Sequence, residues 1–84
     1  MNKETFLQKL KENKHLSQTY LILPVCEEED EETIILLDWV THNVSLSFKY
    51  SDSGVIYHVT YGDVRIYELR KTLDAIVDIL EKGE

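Results

Sequence analysis

Apolar and polar positions alternate strictly through residues 44–50 (VSLSFKY), the pattern of a half-buried β-strand. Three further segments read as strands. Residues 19–25 (TYLILPV) are rich in strand formers, and Pro24 marks that strand as an edge. Residues 33–41 (TIILLDWVT) and 55–61 (VIYHVTY) complete the set. Ser51-Asp52-Ser53-Gly54 has the composition of a turn, and Gly62-Asp63 breaks the last strand. At both ends the period becomes helical. Phe6, Leu7 and Leu10 fall on one stripe, Leu16 extends it, and Asn2 is placed as N-cap, so residues 3–14 predict a helix. Leu69, Leu73, Ile76, Val77 and Leu80 share a face over residues 67–82, with Gly83 just past the end. Val64-Arg65-Ile66 suits either a short strand or that helix's first turn. The chain thus predicts a single α+β domain over residues 1–84, in the order α-β-β-β-β-α, with an antiparallel meander packed by N- and C-terminal helices.

Register follows from the turns. A two-residue turn at His42-Asn43 sets Thr41 against Val44, Trp39 against Leu46, Leu37 against Phe48 and Ile35 against Tyr50. A turn centred on Asp52-Ser53 sets Tyr50 against Val55, Phe48 against Tyr57, Leu46 against Val59 and Val44 against Tyr61. Both place apolar residues on one face, and a slip of one residue would undo either. The expected core is Phe6, Leu10, Ile35, Leu37, Trp39, Leu46, Phe48, Tyr57, Val59, Leu69, Leu73, Ile76 and Leu80. On the other face the third and fourth strands carry Ser45, Ser47, Lys49, His58 and Thr60, with Ile56 the exception. The first two carry Tyr20, Ile22, Ile34, Leu36 and Val40, interrupted by Asp38. That apolar half needs cover. Either one helix lies on each face, or both helices share the main face and Tyr20, Ile22, Ile34 and Leu36 meet a partner or a second copy.

Length and charge narrow the function. A chain of 84 residues has room for one domain and buries only about 60–65% of its unfolded surface, so a partner contact matters to its stability. One cysteine cannot form an internal disulfide, and nothing asks for an oxidising compartment. No apolar run is long enough to cross a bilayer, and residues 1–14 lack a signal-peptide core, so a soluble cytoplasmic protein is expected. The net charge is −7. That sign excludes nucleic acid and anionic membrane as direct ligands, because both need Lys and Arg to neutralise phosphate. The charge is also uneven: residues 1–25 carry +2 and residues 26–84 carry −9. Glu27, Glu28, Glu29, Asp30, Glu31 and Glu32 run without a break and predict a solvated loop.

Catalytic chemistry finds little support. Cys26 precedes the acidic run, where negative charge disfavours the reactive thiolate. No GxSxG elbow surrounds any Ser. His15, His42 and His58 lie on three different elements, none at the helical spacing of a zinc pair. The acidic run lacks the alternating, Gly-punctuated pattern of a calcium loop. With glycines only at 54, 62 and 83, no phosphate loop can form. Arg65, Arg70 and Lys71 near the last helix suit salt bridges to Glu68, Asp74 or the acidic loop, or a phosphate. Asp38 is the one acid in an unusual setting, and one acid is not a mechanism. The expectation is a non-enzyme with no metal and no cofactor.

Binding remains. Asp74, Asp78 and Glu81 line the last helix opposite its apolar stripe. Five Tyr and one Trp supply residues enriched at interfaces. Carboxylates on a small rigid fold can occupy a groove built for the DNA backbone, and a basic protein is attracted to them quickly. No motif matches a family. By length, acidity and a compact sheet with helices, the chain is similar to small acidic inhibitors of phages and mobile elements. These include DNA-mimic uracil-DNA glycosylase inhibitors, anti-restriction proteins and anti-CRISPR proteins, and also immunity proteins that block nuclease toxins. That resemblance implies a protein partner that is basic and handles nucleic acid, and it carries over no residue. The partner-binding expectation rests on Glu27–Glu32 with Asp74, Asp78 and Glu81. The alternative is a homodimeric or scaffold-associated domain joined through Tyr20, Ile22, Ile34 and Leu36. A small-ligand site around Asp38, His58 and the tyrosines is the third reading.

Overall fold

The computed structural model describes residues 1–27, 31–51 and 53–82. Helix α1 (Lys3–Glu12) is capped by Asn2, whose side chain accepts the Thr5 amide at 2.8 Å. Asn13 ends α1 in an extended conformation and caps α2 (Lys14–Thr19) by accepting the Leu16 amide at 3.0 Å. The expected first helix is therefore two helices meeting at a shared asparagine. Four antiparallel strands follow in chain order: β1 (Tyr20–Glu27), β2 (Glu31–Asp38), β3 (Val44–Ser51) and β4 (Ile56–Tyr61). Helix α3 (Ile66–Lys82) closes the fold, so Ile66 is helical and Val64-Arg65 is connector. Gly83, expected as the stop, lies outside the described residues. The order α-β-β-β-β-α, with helices at both ends of the chain, agrees with the expectation.

The faces of the sheet differ from it. Ile34 pairs with Phe48 and Leu36 with Leu46, where Leu37–Phe48 and Trp39–Leu46 were expected. The cause is the β2–β3 connection. Asp38 ends β2 and its Oδ1 accepts the amides of Val40 (2.8 Å) and Thr41 (2.9 Å), while His42 turns in the left-handed region (φ 60°). This side-chain-capped loop replaces a two-residue turn and slides the register by an odd number of residues, which exchanges the two faces of β2. Ile35, Leu37 and Trp39 consequently leave the expected core, and Trp39 is 49% exposed. Tyr57 and Val59 leave it through a separate shift of the β3–β4 register, which sets Tyr57 against Lys49 and Tyr61 against Leu46 where Phe48–Tyr57 and Leu46–Val59 were expected; Val59 is 36% exposed. Bulges shift the ladders further. Ser45 is an extra residue on β3 opposite Leu36-Leu37, and Val25 one on β1 opposite Thr33-Ile34. β4 bulges between its partners for Ser47 and Lys49, near His58 (φ 53°).

All three helices cover the same face. The core joins Phe6, Leu10 and Leu16 to Tyr20, Ile22, Ile34, Leu36, Leu46, Phe48 and Tyr50, and to Ile76 and Ile79 of α3. Leu69, Leu73 and Leu80 are partly buried against it. Phe6 stacks on Tyr50 with ring centroids 4.0 Å apart and meets Phe48 edge-on at 6.2 Å. Burying aromatic surface in this way supplies much of what so small a core can offer. One polar chain crosses it. Thr72 donates to the Glu68 carbonyl at 2.8 Å, so the 2.6 Å contact with Tyr20 has the phenol donating to Thr72 Oγ1.

Tyr20, Ile22, Ile34 and Leu36, expected as a possible dimer patch, are thus the centre of the core, each at most 6% exposed. The uncovered face carries Leu21, Leu23, Ile35 and Leu37 beside Thr33, Ser47, Lys49, Tyr57 and Thr60. No described helix is long and apolar enough to cross a membrane.

Candidate functional site

Acids gather at both ends of the sheet. At one end, β1 finishes at Glu27, which pairs in register with Glu32 at the start of β2. Glu28, Glu29 and Asp30 lie outside the described residues. Glu32 is buried, and Glu31 is half-buried and pairs in register with Ser51. The expected six-residue loop is therefore in part strand.

At the other end, the chain leaves β4 and folds back on β3. The amides of Gly62 and Asp63 donate to the carbonyls of Ser45 (3.0 Å) and Val44 (3.1 Å). A Cβ at residue 62 would run into the Val44 carbonyl, so this approach requires glycine. The approach brings Asp63 beside the end of β2, while Val64 and Arg65 follow in the connector and Glu68 comes from the first turn of α3. Together with Thr19, Tyr20, Asp38 and Ser45 they line a pocket of about 270 Å³. Asp38 is held below the ordinary carboxylate value by the Thr41 and Val40 amides that donate to it. The Tyr20 phenol is pushed above its ordinary value by burial, with the charges of Glu68 and Asp38 adding to the shift and the Thr72 bond opposing it. Arg65 is exposed and pairs with none of these carboxylates among the described residues.

The α3 acids stand apart. Asp74, Asp78 and Glu81 are exposed on α3. Asp78 forms an exposed ion pair with Lys82 at 3.1 Å, of a kind worth little. Asp74 borders an apolar groove with Ile66, Leu69, Arg70 and Leu73. Asp78 also borders a groove with Lys9, Glu12, Asn13 and Ile79, between α1 and the end of α3. Lys71 lies over the Tyr67 ring, 4.4 Å from its centroid, so Arg65, Arg70 and Lys71 do not converge on one phosphate site. His15, His42 and His58 fall on α2, the β2–β3 loop and β4. His58 does not line the Asp38 pocket. Among the described residues no three His, Cys, Asp or Glu are arranged to hold a metal ion.

Sequence reasoning singled out Asp38 but missed Asp63, Glu68 and Ser45 as its companions. The available signal was the Gly62-Asp63 break, read only as a strand end. Comparison of the chain with protein-family models, curated proteins and solved structures finds no match.

Proposed function

We propose that the protein is a non-catalytic inhibitor of the cytoplasm. It occupies the nucleic-acid-binding surface of a basic, nucleic-acid-handling protein with its own carboxylates, in the manner of a phage or mobile-element anti-defence protein such as an anti-CRISPR or anti-restriction DNA mimic. The observation that carries this reading is the placement of acids at both ends of the sheet. Asp38, Asp63 and Glu68 share a pocket lined by one cation, Arg65, which forms no ion pair with them among the described residues. Asp74 and Glu81 add exposed charge with no ion pair among the described residues. Such a field accelerates and orients encounter with a cationic groove. The test starts with capture from a nuclease-treated lysate and continues with purified components. The captured protein's affinity for nucleic acid is measured with wild type and with a variant carrying Gln and Asn at 27–32. Wild type is expected to displace the nucleic acid stoichiometrically and the variant to fail. Equal displacement by both, or none by wild type, would overturn the reading.

A second reading rests on the uncovered sheet face. Its charged groups are Lys49 and, at one end, Glu31, so two copies of a chain of net charge −7 can approach there without opposing their acids. Stacked sheets of this kind form sandwiches. The face measures roughly 450 Å² from strand spacing and rise, about half the ~800 Å² per partner of a stable interface. Self-association is therefore expected only at high concentration and is expected to vanish in Ile35→Lys. Sedimentation over a concentration series reads it, and a monomer throughout would end this reading.

A further inference from the structure

We infer that the outer edge of β1 receives an extended segment of a protein partner as a fifth strand. The inference goes beyond the inhibitor reading, because it uses backbone groups rather than carboxylates and stands whether or not that reading holds. β1 is an outermost strand, paired with β2 on one side and with no described strand on the other. Three observations fix which backbone groups it presents. Asp38, opposite Tyr20, donates its amide to the Asn43 carbonyl and accepts the His42 amide, so its bonds lead toward β3 and not to β1. Tyr20 donates its own amide to the Leu16 carbonyl of α2. Pro24 has no amide to give, which places it with its nitrogen outward on an edge. The register is unbroken from Tyr20 to Pro24, so Tyr20, Ile22 and Pro24 point their backbone groups outward while Leu21 and Leu23 bond β2. The edge thus offers the Ile22 amide as donor and the carbonyls of Tyr20, Ile22 and Pro24 as acceptors.

These groups lie along a groove of about 340 Å³. Lys11 and Ser17 line it from the helices, Leu21 and Leu23 from the uncovered sheet face, and Trp39 from beyond the end of β2. The Trp39 indole donates to the Ser17 carbonyl at 3.1 Å, which holds a half-exposed ring in place. Ile22 is only 6% exposed. No turn or loop backbone group bonds its amide or carbonyl among the described residues. Backbone groups so far withdrawn from water are normally partnered.

The same groups choose the occupant. A second copy paired edge to edge about Ile22 would set Tyr20 against Pro24, where one amide is spent on Leu16 and the other is missing. Only the two bonds between the Ile22 residues could form, and proline on an edge guards against such pairing. An unrelated extended segment can donate to all three carbonyls and accept from Ile22. Tyr20 to Pro24 spans about 13 Å, so a short segment suffices, and main-chain bonds supply its affinity. Leu21, Leu23 and Trp39 suit apolar side chains on that segment. Lys11, exposed and without an ion pair among the described residues, suits a carboxylate.

A displayed library of random eight-residue peptides, selected against the full chain, supplies the probe, and amide hydrogen exchange reads it. In the free chain Ile22 is expected to exchange faster than Leu21 and Leu23, whose amides bond β2. Saturating peptide is expected to slow Ile22 to their rate. N-methylation scanned along the peptide leaves the protein untouched. It is expected to weaken binding about tenfold at alternate residues only, the scale of one hydrogen bond. Lys11→Gln should weaken an acid-bearing peptide about threefold, the scale of an exposed ion pair. A free-chain Ile22 as slow as its neighbours, selected peptides that leave Ile22 unprotected, or failure to select any peptide would overturn the proposal. So would Ile22 protection that rises with protein concentration alone, which would assign the edge to a second copy.

Discussion

The two ends of the sheet collect acid by opposite means. At the β1–β2 end the acids are consecutive in sequence, Glu27 to Glu32. At the β2–β3 end, roughly 23 Å away at the rise of a strand, Asp38, Asp63 and Glu68 arrive from a strand end, a connector and a helix. The first is negative because of composition. The second is negative because Gly62 lets the chain fold back on Val44 and because Asp38 caps its own loop. Consecutive charges attract a partner without specifying a pose. Charges fixed by three elements lose less freedom on binding, and so they specify one.

The comparison can be broken most forcefully at Gly62. Gly62→Ala drives a methyl into the Val44 carbonyl and is expected to cost about 3 kcal/mol. Urea unfolding measures the loss, and amide shifts should report disturbance concentrated at Ser45, Asp63 and Glu68. A smaller loss comes from Thr72→Val, which leaves the Tyr20 hydroxyl buried without an acceptor. Its expected cost is about 2 kcal/mol, again by urea unfolding.

Two pH effects sharpen the contrast further. Asp38 has a folded-state pKa below its ordinary 3.8. Its contribution is therefore fully present above 3.8 and is lost as pH falls through the depressed value. Asp38→Asn keeps an acceptor for the loop but not the charge. It is expected to melt lower than wild type at neutral pH, with the gap closing in acid below the ordinary carboxylate range. Tyr20 runs the other way. Its phenol is raised above 10.0, so the neutral form's stability is present below 10.0 and is lost as pH rises through the folded value. Thermal melts of Tyr20→Phe should show a flatter alkaline limb, the smallest effect of the four.

These effects also mark what the sequence made legible. The order of elements followed from changes of period, because alternation in VSLSFKY and the helical stripe of Leu69, Leu73, Ile76 and Leu80 are local properties. Asn2 was readable as a cap for the same reason. The covered face was not readable, because it depends on how many residues the β2–β3 connection absorbs. His42-Asn43 looked like a two-residue turn, yet Asp38 had the side chain to cap a longer one. That exchange moved Ile34 and Leu36 inward and Ile35 and Leu37 outward. The acidic run was visible as a string. The pocket acids were not, since Asp38, Asp63 and Glu68 are widely separated and only the Gly62 fold-back unites them. Asp38 alone left a trace, as a charge interrupting an apolar strand.

The central claim is that these carboxylates engage a cationic partner. It is tested most directly by the affinity of the wild-type chain for its captured, purified partner at rising ionic strength. The account predicts a steep fall in affinity, carried mainly by a slower association rate as salt screens the field. An affinity indifferent to salt would contradict it.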